Sequence, residues 1–148
     1  MHLDDDQYNY RGFKTNILLS SGVEPPIALN IVGHLGIALG ARVPQDSLGK
    51  ERLVDGSGVR HLGISKYPVI ILKARPRKIR TALERARVYP ELIIADYPEQ
   101  MLWTGHDDEL AQALAEQHEA DLNYLGIAAY GPTEIMTEVF GRFSLWNA

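Results

Sequence analysis

Between Pro25 and Ala41 the chain runs PPIALNIVGHLGIALGA, seventeen residues with no charged side chain and only two strongly polar ones, Asn30 and His34. Pro26 suits the first turn of a helix, where its missing N–H would go unpaired anyway. A helix that is apolar nearly all round belongs in a core, so the run predicts a buried helix. Asn30 and His34, four apart, share one face of it. Buried there, each must find a partner or cost about 1 to 3 kcal/mol. Such a pair either braces a core or builds a site. Gly33, Gly36 and Gly40 predict a flat stripe lying close to a sheet. That packing would offset the roughly 0.5 to 1 kcal/mol each glycine costs a helix. The run is short for a membrane span.

A length of 148 residues fits one domain, which at this size buries roughly 70% of the surface its unfolded chain exposes. With 45% hydrophobic and 23% charged residues and a net charge of −4, the composition is that of a soluble globular protein and excludes a disordered one. Cysteine is absent, which removes disulfides, thiol nucleophiles and thiolate metal sites. The start, MHLDDDQYNY, is acidic and carries no apolar stretch, so it does not read as a secretory signal. A cytoplasmic location is expected, with no membrane partner and no cofactor. Residues 1–13 read as an N-terminal extension of a single domain spanning 1–148.

The rest of the chain alternates strands and helices. Lys14 to Leu19 reads as a strand, and Pro68 to Ala74 as a fully apolar central one. A helix is expected from Pro76 to about Tyr89, and a short strand over Leu92 to Ala95, closed by Asp96-Tyr97-Pro98. An acidic surface helix follows from Asp107 to about Glu119, with Leu110 and Leu114 inward and Thr104 with Asp107 as a capping box. Tyr124 to Tyr130 is a fourth strand, and a last helix stops near Gly141. The pattern predicts an α/β domain of three layers, α/β/α, with a small mixed sheet of about four strands.

Several residues are candidates for chemistry. His34 has a side chain whose reference pKa, near ~6.5, suits a general base, and Asn30 beside it could hold a ligand. Asp96 closes a strand, where α/β proteins present side chains to ligands; the other reading is a turn residue. Val43 to Ser65 is loop-rich, and long irregular segments inside a domain are often functional. Its segment LVDGSGVRHLGIS holds Asp55, Ser57, Arg60, His61 and Ser65. His61 and Ser65 are candidate ligand contacts, while no nucleophile-elbow spacing surrounds Ser57. His34, His61 and Asp96 match no metal-ligand spacing, and no metal is expected.

Charge is concentrated between Lys73 and Arg87, where seven basic side chains face one acid, Glu84. Arg75, Arg77 and Lys78 crowd the start of the expected helix, where the dipole disfavours each cation by about 0.3 to 1 kcal/mol. Either the run is a solvated face, or it meets an acidic surface of another subunit, or Arg77 and Lys78 receive an anion. A small anionic ligand or nucleotide is the candidate, and tRNA a less favoured one. The acidic total argues against broad non-specific nucleic-acid binding.

The motifs ALNIVGHL, LVDGSGVRHLGIS, PVIILKA, DYPEQMLWTG and YLGIAAYGPTEIMTEVFGRFSL, in that order over Lys14 to Leu145, resemble the bacterial domain of unknown function 2000 family. That family in turn resembles the type II peptidyl-tRNA hydrolases. The resemblance implies a peptidyl-tRNA hydrolase II-like fold over residues 14–145, assembled as a homodimer. For a hydrolase of peptidyl-tRNA or a related ester or amide, it implies His34, Asp96 and Thr104 as catalytic residues. The chain departs from that pattern in two places. The hydrolase lysine at the helix start falls on Ile27, and Asp96 and Thr104 are eight residues apart rather than four. Likeness of fold does not transfer activity, so binding of a small anionic ligand is the preferred expectation.

Overall fold

Alternation along the first strand sets the layers of the molecule. The structure, a computed structural model, describes residues 11–49 and 53–148. In β1 (Phe13–Ser20), Ile17 and Leu19 point to one side and Leu18 to the other, and all three are buried. A strand buried on both faces belongs to the middle of a sheet covered on both sides.

The chain continues through α1 (Pro25–Gly40), β2 (Leu53–Val54), β3 (Arg60–His61), β4 (Val69–Ala74), α2 (Pro76–Arg87) and β5 (Ile93–Pro98). It ends with α3 (Gln100–Trp103), α4 (Asp107–Ala115), β6 (Tyr124–Pro132), α5 (Thr133–Phe140) and β7 (Ser144–Leu145). The main sheet has five strands in the order β5-β6-β1-β4-β7. β1 and β4 are parallel, as a crossover through a helix requires, and the other neighbours are antiparallel. One face packs Ile17, Leu19 and Ala128 against α1. The other packs Leu18, Leu72 and Ile127 against Ile79 and Leu83 of α2 and Met136 and Phe140 of α5. The three layers are therefore present, with a mixed sheet of five strands rather than four. The additional strand, β7, is two residues long and forms only because Leu145 lies opposite Leu72.

Several boundaries differ from expectation. Residues Asp96 to Pro98 do not form a turn but continue β5, because they pair with β6 through Tyr124. Helix α4 stops at Ala115, and Leu110 and Leu114 are only half-buried because α4 lies outside the sheet edge. Its cap is His106, whose Nδ1 accepts from the Glu109 N–H at 3.2 Å, and not Thr104. The loop between α1 and β4 contains the hairpin β2–β3, in which Asp55 Oδ1 accepts from the N–H groups of Ser57 and Val59. Gly58, at φ +83°, makes the turn that closes it, a conformation that costs glycine little.

The largest correction concerns α1. It buries only Ala28, Ile31, Leu35 and Leu39. Asn30 and His34 are exposed, as are Leu29 (63%) and Ile37 (75%). Gly33, Gly36 and Gly40 face open space, with nothing within 4 Å of where a Cβ would stand. The sheet covers one stripe of a helix and no described element packs on the outer one, so lack of charge did not mean burial all round. The close approach between helix and sheet occurs instead at Gly126 of β6, where a Cβ would meet Ile31 Cγ2 at 3.0 Å. None of the described helices is long and apolar enough to cross a membrane.

Candidate functional site

Five of the candidate residues divide between two cavities that share no lining residue. The first, about 340 Å³, opens at the edge of the sheet between the middle of α1, the end of β5 and the segment entering α4. His34, Asp96 and Thr104 all line it, so three residues from three separated segments meet there. Tyr97, His106 and Asp107 join them. The ring of Tyr97 lies 6.1 Å from that of His34.

The bonding of these groups limits what the cavity can do. Period-two alternation turns Tyr97 toward α1 and Asp96 toward the opposite layer. Accordingly, Asp96 Oδ2 lies 4.0 Å from Arg87 Nη2. Burial pushes the Asp96 carboxyl above its ordinary value, and the Arg87 charge acts in the opposite sense. Thr104 Oγ1 donates to the carbonyl oxygen of Gln100 at 2.8 Å. The His34 side chain makes no hydrogen bond with a described residue, so no dyad links it to Asp96. The cavity thus offers an imidazole without a hydrogen-bond partner among the described residues, and a carboxylate turned toward Arg87.

The remaining candidates lie apart. Asn30 is exposed on α1. His61 Nε2 lies 2.8 Å from Asp55 Oδ2 within the exposed hairpin, and that contact, with the two hairpin N–H groups, holds Asp55 below the usual carboxylate range. Ser65 lines a cleft of about 160 Å³ beside Gly36 and Gly40, and its hydroxyl donates to the carbonyl oxygen of Tyr67. Among the described residues, no three His, Asp or Glu side chains are grouped to hold a metal ion, so His34, His61 and Asp96 do not form one.

The second cavity, about 460 Å³, lies between the start of α2 and the turn after α5. Arg77 and Lys78 line it together with Lys73, Arg75, Arg85 and Arg142, and no carboxylate does. Helix α2 has neither a side-chain cap nor an acid in its first turn. Among the described residues, the side chains of Arg75, Arg77, Lys78 and Arg142 make no hydrogen bond or ion pair. Arg85 Nη2 donates to the carbonyl oxygen of Glu138, and Lys73 to Asn147 Oδ1. The other two cations of the basic run serve the fold. Arg80 Nη1 donates to both carboxylate oxygens of Glu119 at 3.0 Å, and Arg87 Nη1 to one of them at 3.2 Å.

Arg77 and Lys78 stood out in the sequence by their place at a helix start, and both line the second cavity. The partition of the run was also accessible from helical spacing, since Lys78 and Arg85 share one face and Arg80 and Arg87 the other. Arg142, far along the chain, carried no local signal.

The chain matches, over residues 13–147, the family described as protein of unknown function (DUF2000). No curated protein matches it significantly. Among solved structures it is similar to a protein of unknown function from Agrobacterium tumefaciens strain C58, with a TM-score of 0.81 and 19% identity. The alignment covers 92% of this chain and 98% of that one, a likeness of fold.

Proposed function

Because the chain belongs to the DUF2000 family of proteins of unknown function, kinship supplies no activity, and we propose from its geometry that it binds a phosphate-bearing anion in the basic groove at the start of α2. One observation carries this reading: six cationic residues and no carboxylate line one cavity in a chain of net charge −4. Like charges gathered at the positive end of a helix dipole oppose folding, and an anion bound among them removes that cost. Arginine forks and lysine ammonium groups are the donors suited to phosphate oxygens.

Calorimetric titration with pyrophosphate tests the reading. Saturable binding is expected that weakens as salt rises and falls by roughly tenfold or more in Arg77→Glu/Lys78→Glu. Affinity unchanged in that variant, or no binding by the parent protein, refutes it.

A second reading, hydrolysis of peptidyl-tRNA or a related ester or amide, is favoured by His34, Asp96 and Thr104 lining one cavity. It is weakened by the hydrogen bond that occupies the Thr104 hydroxyl and by the orientation of Asp96 toward Arg87. Release of tRNA by the parent protein that disappears in folded His34→Ala would support it, and no release would end it.

A further inference from the structure

The walls of the basic groove are of two kinds, and their pairing says what sort of phosphate ester fits. The rim is cationic, whereas the inner surface is apolar, formed by Ala74, Ala82 and Val139, all buried, and by half-buried Phe143. Among the groove's neutral polar groups, Thr81 Oγ1 already donates to the carbonyl oxygen of Arg77 at 3.1 Å. No carboxylate or carboxamide is present to accept the hydroxyls of a sugar. At about 460 Å³ the space exceeds what a bare phosphate fills and falls within the ~300 to 1,000 Å³ usual for small organic ligands.

Resting on the anion-binding reading above, we infer that the groove takes a compact phosphate ester whose organic part is aromatic, with the phosphate at the rim and the ring against Phe143. A phosphate alone leaves the apolar wall wet. An aromatic ester covers it, gaining the hydrophobic burial and the offset or edge contacts of two rings. The arginines that line the groove carry planar guanidinium groups, which are suited to stacking on an aromatic ring. A polyhydroxylated ester gains none of this and finds no carboxylate or carboxamide along the groove to accept its hydroxyls.

Four probes test this by competition or calorimetry at one ionic strength: inorganic phosphate, glycerol 3-phosphate, phenyl phosphate and single-stranded RNA homopolymers of increasing length. Phenyl phosphate is expected to bind at least ~10-fold more tightly than the first two. Phe143→Ala is expected to erase that preference, read as the ratio of phenyl phosphate to inorganic phosphate affinity in the same variant. Phe143→Leu, which keeps apolar packing against the core, is the check against misfolding and is expected to reduce the preference too. Equal affinity for phosphate and phenyl phosphate overturns the inference while leaving anion binding intact, as does a preference that survives in both variants. Affinity that grows with RNA length overturns it in favour of a polymer. Failure of inorganic phosphate, pyrophosphate and phenyl phosphate alike to bind overturns the anion-binding reading itself.

Discussion

Glu119 shows how a single side chain divides the work of a charge run. Tyr124 Oη donates to its carboxylate at 2.6 Å, and Arg87 and Arg80 add charged donors. These hold Glu119 at about 2, well below the ordinary 4.5. A carboxylate whose pKa is depressed on folding stabilises the native state fully above its unfolded value and loses that contribution as pH falls through the folded one. The contribution is therefore present above pH 4.5 and disappears toward pH 2. Urea midpoints followed between those limits should fall more steeply in the parent protein than in Glu119→Gln. Identical slopes would mean that the cluster adds nothing to folding. Arg80 and Arg87 thus strap the segment before β6 onto α2, which leaves the other cations of the run for the groove.

At the scale of elements, α1 separates two uses of glycine. Gly33 and Gly36 stand on the outer stripe with no neighbour within 4 Å. Their backbone is helical, so alanine fits without strain and reduces the freedom of the unfolded chain. Gly33→Ala and Gly36→Ala should each raise stability by about 0.5 to 1 kcal/mol. Gly126 sits beneath the same helix, with Ile31 Cγ2 at 3.0 Å and Leu19 Cδ2 at 3.1 Å from an added Cβ. Gly126→Leu overpacks that contact and should cost about 1 to 3 kcal/mol. Chemical denaturation of the three variants checks both signs. A loss of stability at Gly33 or Gly36 would show that the outer stripe is covered in solution.

At the scale of the whole molecule, the sheet insulates two cores from each other. Ile31 of α1 and Ile79 of α2 are both fully buried, against opposite faces of the sheet. Ile31→Val and Ile79→Val should each cost about 0.5 to 1.5 kcal/mol. Their effects should add to within about 0.5 kcal/mol, since they belong to separate clusters. A larger coupling in the double variant would show that strain crosses the sheet.

The four longer strands and the helices α1, α2, α4 and α5 were legible because each carries its own period and its own proline, glycine or capping signal. The strand β7 and the hairpin β2–β3 were not, because two-residue strands have no period and exist only through their partners. Arg77 and Lys78 were readable at a helix start, whereas Arg142 needed the fold to bring it across. By itself, the sequence determined the longer strands and helices, that a mixed α/β domain forms, and where positive charge gathers. These follow from spacing and charge along the chain. Only the tertiary structure decided that α1 exposes Asn30 and His34, that Asp96 turns toward Arg87, and that six cationic residues line one cavity. Which face of an element is covered depends on what packs against it, and that information lies in other parts of the chain.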